Sequence, residues 1–233
     1  MVKKSLPAPH REALSYLSDL GFRDLYRERI SPPGRAAVEP AGDAAERADR
    51  LRALALDAAG CERCELAAGR QTVVFGSGDP DADLMFIGEG PGANEDRQGL
   101  PFVGPAGELL TRIIEAIELQ RDEAYIANIV KCRPPGNRDP KAPEVAACRD
   151  FLEEQIRLVA PTVIVALGRV AAQALLGTDA PLGRMRGDWY SVQDVPTMVT
   201  YHPAALLRNV ALKRPVWEDM QQVRDRLREG RNR

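Results

Sequence analysis

Apolar positions along this chain switch repeatedly between two periods, short runs and stripes spaced by three and four. The runs at 83–87, 125–130, 162–167 and 197–201 are short and mainly apolar, and they read as strands. The run at 162–167 is almost uniformly apolar, as expected where both faces of a sheet are covered. Between the runs lie helical stripes. Ala106, Leu109, Leu110, Ile113, Ile114 and Ile117 form one, and Val145, Cys148, Leu152, Ile156 and Val159 form another. A last amphipathic helix begins at Pro215 with Val216, Met220, Val223 and Leu227 inward, and a shorter one spans 169–176. Asp43 is placed to cap an Ala/Leu-rich helix running to about Ala59. Strand–helix alternation of this kind predicts an α/β fold: a three-layer α/β/α domain around a mainly parallel four-stranded central sheet.

The first 42 residues follow a different pattern. Leu14, Leu17 and Leu20 share one side of a helix expected within 1–30. Ser31-Pro32-Pro33-Gly34-Arg35 and an Ala/Pro/Gly stretch up to Gly42 then read as a flexible linker. The expected division is an N-terminal helical extension with linker over 1–42 and an α/β domain over 43–233.

At 233 residues and 44% hydrophobic content, the chain can bury one substantial core. A net charge of −2 gives no global basic field. Positive charge gathers locally instead, at Lys131, Arg133 and Arg138, at Arg184 and Arg186, and at Arg208, Lys213 and Arg214. The plain reading of these groups is solvated surface. No apolar signal-peptide core follows Met1-Val2-Lys3-Lys4-Ser5, and no stretch reaches the length of a membrane span. The expectation is a cytoplasmic protein with reduced thiols and no membrane partner.

Parallel sheets carry function at the carboxyl ends of their strands. That rule selects the loops at 88–96 and 128–138, Gly168, and 202–209. The first reads Gly88-Glu89-Gly90-Pro91-Gly92, followed by Glu95 and Asp96. Its glycines imitate a dinucleotide-binding turn, but Pro91 removes an amide donor and the acids would repel a pyrophosphate. A nucleotide-phosphate hydrolase is therefore disfavoured. Glycines that admit a ligand to the backbone beside carboxylates suit a neutral or cation-like reacting group better. His202 is the one histidine outside the extension, which holds His10. Leu206 and Leu207 stand beside Arg208, either as an apolar wedge for DNA bases or as a helical turn packing inward.

Four cysteines complete the inventory: Cys61 and Cys64 in a tight turn, then Cys132 and Cys148. Two ligands close in sequence and two distant ones predict a thiolate metal site that staples remote parts of one domain. Cys148 also fits the inner face of its helix, a core role that would not explain the turn. Zinc and an iron–sulfur cluster both accept four thiolates, and the spacing does not separate them.

Taken together, these segments resemble the family 4 uracil-DNA glycosylases, the iron–sulfur branch of that superfamily, over about residues 45–230. The resemblance is carried by Gly88 to Gly92 with Glu95 and Asp96, by Leu100-Pro101-Phe102-Val103-Gly104, by Asn128-Ile129-Val130-Lys131-Cys132-Arg133-Pro134-Pro135, and by Tyr201-His202-Pro203 through Arg208-Asn209. It implies a [4Fe–4S] cluster on Cys61, Cys64, Cys132 and Cys148, and a pocket for a flipped-out uracil. Within it, Phe102 would stack on the base, Asn128 would read the uracil edge, and Gly90 would belong to the base-binding loop. His202 would face the charge developing at O2, with Glu89 and Glu95 as the acidic catalytic positions. Leu206, Leu207 and Arg208 would form the wedge in the duplex.

The function so implied is excision of uracil from single- or double-stranded DNA, leaving an abasic site, by a monomeric hydrolase of base excision repair. The alternative is a non-catalytic iron–sulfur DNA-binding protein of the same fold. Two departures bear on this. Residues 1–42 lie outside the family pattern. The segment from Arg133 to Ala147 also lacks the inserted basic loop and histidine of the related variant that traps DNA covalently, so ordinary turnover is expected.

Overall fold

The structure is a computed structural model that describes residues 42–231. The helix expected within 1–30, and the linker up to the residue before Gly42, lie outside the described residues. The first helix, α1 (Ala44–Ala59), opens as expected: the Asp43 carboxylate accepts from the backbone N–H of Glu46 at 2.8 Å.

The strands are β1 (Ser77–Gly78), β2 (Leu84–Gly88), β3 (Ala124–Asn128), β4 (Val163–Leu167), β5 (Trp189–Val192) and β6 (Val195–Thr200). They form one sheet in the order β1-β3-β2-β4-β6-β5. The inner four are mutually parallel and coincide with the four runs read from the sequence, with ends shifted by a residue or two. The two edge strands pair antiparallel and go beyond the expectation, making a mixed six-stranded sheet. Their invisibility has a physical cause. β1 is only two residues long. The β5–β6 hairpin turns through Gln193 and Asp194, both at positive φ (48° and 63°), without the glycine that usually marks such a turn.

The remaining helices are α2 (Ala93–Gln98), α3 (Pro105–Ala116), α4 (Ala142–Val159), α5 (Arg169–Leu176), α6 (Leu182–Met185), α7 (Pro203–Arg208) and α8 (Lys213–Arg231). Every residue of β2, β3 and β4 is buried, so both sheet faces are covered. Alternate side chains serve opposite cores. Met85, Ile87, Tyr125 and Ala127 pack with Leu51 of α1 and with Cys148, Leu152 and Ile156 of α4. Leu84, Phe86, Ile126 and Val165 pack with Leu110 and Ile114 of α3 and with Val216, Met220, Val223 and Leu227 of α8. This is the three-layer α/β/α arrangement. Among the described residues, no helix is long and apolar enough to cross a membrane.

Two of the basic groups read as surface are built into the fold. Lys131 is 2% exposed, with Nζ donating to the Asn128 carbonyl at 2.8 Å and to Gln155 Oε1. Arg186 Nη1 donates to both carboxylate oxygens of buried Asp219, whose Oδ2 also accepts from Thr200 Oγ1 at 2.6 Å.

Candidate active site

The path through the sheet reverses between β2 and β4, which lie side by side. From β2 the chain moves to β3 on one flank, and from β4 it moves to β6 on the other. A crevice at the carboxyl ends follows from that reversal. Gly88 ends β2, Asn128 ends β3, Gly168 follows β4, and His202 comes soon after β6.

Gly88 and Asn128 are register partners on adjacent strands. A Cβ on Gly88 would meet Asn128 Oδ1 at 2.5 Å and Phe102 Cζ at 2.6 Å, so only glycine leaves room for both. Asn128 is 1% exposed, yet its Oδ1 has no hydrogen-bond partner. An unmet buried acceptor costs about 1–3 kcal/mol, and a ligand N–H would restore what is lost. From behind, Lys131 holds the backbone of the same residue.

Phe102 adopts φ 54°, an uncommon left-handed conformation for an aromatic residue. Its ring stacks on the His202 imidazole with centroids 5.4 Å apart. Glu95 organises the adjoining backbone. Oε1 accepts from the amides of Val103 (3.0 Å) and Gly104 (3.1 Å), while Oε2 accepts from Gly92 at 3.1 Å. The sequence put Glu95 among the catalytic acids, but both of its oxygens are engaged in bracing the loop. Asp96 is buried as well and accepts from the Gln71 amide at 2.9 Å.

His202 Nδ1 accepts from the Ala204 amide at 3.1 Å, which leaves the ring proton on Nε2. Burial, with the Arg208 cation adding to it, pushes the imidazole down to about 4, against a smaller opposing pull from Glu95. The ring is therefore a neutral donor at physiological pH. Gly168, at φ +89°, lets the turn after β4 approach it, since a Cβ there would stand 2.9 Å from His202 Cβ.

Glu89 differs in kind from Glu95. Burial pushes its carboxyl up to about 7, reinforced by Asp139 and opposed by Arg169. Those two neighbours form an ion pair at 2.5 Å. Sequence reasoning missed both, although Arg169 directly follows Gly168 in a strand-end turn the topology rule had selected. Gly90 serves the backbone: a Cβ there would meet Val130 Cγ2 at 2.8 Å, so the first loop can lie against the segment leading to Cys132.

The wedge segment is helix α7, not a loop. Leu206 is 1% exposed and shares a core cluster with Phe102, Val216 and Met220, so it does not reach solvent and the wedge assignment fails for it. Leu207 is 48% exposed and Arg208 is exposed beside it.

All four cysteines are free thiols, Cys132 and Cys148 buried and Cys61 and Cys64 partly so. Among the described residues, no three His, Cys, Asp or Glu side chains are gathered at the spacing of a metal site. The two buried thiols, Cys132 and Cys148, are both shifted. Burial raises the Cys132 thiol to about 11, Arg70 opposes the rise, and Cys148 and Cys64 add to it. Cys148 is also raised, first by burial and then in part by Cys64 and Cys61. Two sulfurs already receive N–H donors, Cys132 from Arg70 Nη1 at 3.6 Å and Cys148 from the Lys131 amide at 3.4 Å. Four soft thiol donors suit a four-thiolate metal site, and zinc and an iron–sulfur cluster both match that donor set.

Comparison with known proteins agrees with this geometry. The chain is 41% identical over 186 residues to a type-4 uracil-DNA glycosylase of Sulfurisphaera tokodaii, an alignment covering 76% of this chain and 84% of the relative. To a type-4 uracil-DNA glycosylase of Thermotoga maritima it is 44% identical over 170 residues, covering 70% and 88%. A type-5 uracil-DNA glycosylase of Pyrobaculum aerophilum matches more narrowly, at 33% over 55% of this chain and 64% of the relative. The profile of the uracil DNA glycosylase superfamily matches residues 75–221, a span that runs from the edge of β1 into α8 and takes in every strand-end loop described above. The chain belongs to the uracil DNA glycosylase superfamily.

Proposed function

We infer that this protein is a DNA repair enzyme that excises uracil from DNA, acting on a base turned out of the stack. The observation that carries the reading is the buried, unpartnered Oδ1 of Asn128 beside Phe102 and Gly88. A carboxamide offers one acceptor and one donor side by side, which matches N3–H and O4 of uracil. Cytosine presents the opposite pattern at those positions. The base must leave the helix before these groups can meet it.

Breaking the glycosidic bond leaves positive charge on the sugar and negative charge on uracil. His202, neutral and with Nε2–H free, donates to O2 as that oxygen gains charge. Glu89 sits where the β2 and β4 loops face each other, and its carboxylate would stabilise the sugar cation and orient the attacking water. Glu95 keeps Phe102 and its neighbours in place. Leu207 and Arg208 fill the gap left by the flipped nucleotide and contact its backbone.

The four thiolates are assigned to a [4Fe–4S] cluster. When bound, it supplies four iron–sulfur bonds that tie the turn after α1 to α4 and to the loop carrying Asn128. The chain's own contribution is to set Cys132 close behind Asn128, with Arg70 and the Lys131 amide donating to sulfur. The protein is proposed to act as a monomer and to release its abasic product.

The deciding experiment incubates pure protein with uracil-containing oligonucleotides and then with alkali. Strand breaks at the uracil position are expected. Tight binding without breaks would instead favour a non-catalytic DNA-binding protein of this fold.

A further inference from the structure

Arg121 is a half-buried cation just ahead of β3, in a 3₁₀ turn spanning Arg121–Glu123. Burial lowers its pKa. Among the described residues its hydrogen-bond partners are all neutral oxygens. Nη2 donates to the carbonyls of Pro101 (2.8 Å) and Phe102 (3.0 Å). Nη1 donates to Thr111 Oγ1 at 3.0 Å and to the Gly107 carbonyl at 3.4 Å. One guanidinium thus joins the loop before α3, the first turns of α3, and the turn that launches β3.

The loop needs such a clamp. Phe102 is held at φ 54°, a strained conformation for a bulky residue. Its carbonyl lies so close to the α3 backbone that a Cβ on Gly107 would stand 1.8 Å from it. The ring must also fit against Gly88 while stacking on His202. A planar fork can bind two successive carbonyls with one nitrogen and the helix with the other, and a lysine cannot.

We propose that Arg121 is a positioning residue for excision: it locks Phe102 in its left-handed conformation so that the ring is preset as a platform for the extruded base. This rests on the reading of Phe102 as the stacking residue. Arg121 touches no base in this arrangement and acts through Phe102 alone.

The test is a double-mutant cycle of Arg121→Gln and Phe102→Ala, read as single-turnover excision from a uracil-containing oligonucleotide. Misplacing the platform should slow Arg121→Gln by roughly tenfold to a hundredfold. In the Phe102→Ala background, where no ring remains to position, the same change should matter by less than about threefold. Thr111→Val removes the Nη1 hydroxyl contact together with the 3.2 Å bond from Thr111 Oγ1 to the Gly107 carbonyl, and should repeat the pattern with a smaller loss, giving the same comparison should Arg121→Gln fail to fold. Equal losses from Arg121→Gln with and without the Phe102 ring would overturn the inference and leave Arg121 a general fold residue. A Phe102→Ala enzyme as fast as the parent would overturn both the inference and the stacking role it rests on.

Discussion

The ring of Phe102 stacks on the imidazole of His202 with planes inclined by 30°, although one residue precedes α3 and the other follows β6. The surface proposed to receive the base and the donor proposed to face its oxygen are therefore one packed unit. His202→Ala should slow single-turnover excision on the order of a hundredfold, because the donor acts on charge that appears only as the bond breaks. DNA affinity should fall much less. Weakened binding with an unchanged chemical step would remove His202 from that role.

The pH profile separates the two ionisable groups. His202, at about 4, stays neutral above pH 5 and contributes no limb near neutrality. Glu89, at about 7, gains its carboxylate as pH rises through that value, so the excision rate should climb with a midpoint near 7. Glu89→Gln should be slow and flat across the range. A limb near 7 that survives in Glu89→Gln would belong to another group.

The sign of the stability effect follows from the same shift. The folded protein holds the Glu89 proton more tightly than the unfolded chain does, since the value rises from 4.5 to about 7. Its contribution is thus full below about 4.5 and is lost as pH rises towards 7. Thermal melts should show Glu89→Gln losing less stability than the parent between pH 5 and pH 8.

The parallel strands were legible because each is a short, mainly apolar run that is almost wholly buried, and the helical stripes of α3, α4 and α8 were legible because their periods are regular. The topological rule singled out the loops that carry Glu89, Asn128 and His202, and the roles expected of these residues came from the family resemblance. Other relationships were hidden for physical reasons. Leu206 and Leu207 are chemically identical neighbours, and only the helical turn through Pro203–Arg208 sends one inward and the other out. Glu95 and Glu89 look alike in sequence, but three backbone amides distinguish them. Lys131 read as a surface cation and Arg121 drew no notice, because carbonyl partners leave no trace in a sequence.

Exposure also divides the wedge. Leu207→Ala should impair excision from a paired duplex more than from single strands, since only the duplex must be unstacked. Leu206→Ala should instead lower thermal stability by about 2–5 kcal/mol as a core truncation. Equal activity losses on both substrates for Leu207→Ala would contradict the wedge role.

The cysteine assignment predicts brown protein with about four iron atoms per chain when purified with its cluster intact. Cys132→Ser should lower both iron content and melting temperature, because Cys132 is buried between α4 and the Asn128 loop. Colourless protein holding a single zinc ion would contradict the cluster.

The central claim is that the Asn128 amide reads uracil, and Asn128→Asp addresses it most directly. The substitution keeps size and shape but replaces a donor with an acceptor facing O4, in a site only 1% exposed. Single-turnover excision of uracil should fall on the order of a hundredfold or more, reflecting an unpaired buried polar contact. Iron content should remain near that of the parent, and the rate is compared well below the melting temperature of the variant, which a buried carboxylate lowers. An Asn128→Asp enzyme that removes uracil at the parental rate would contradict the account.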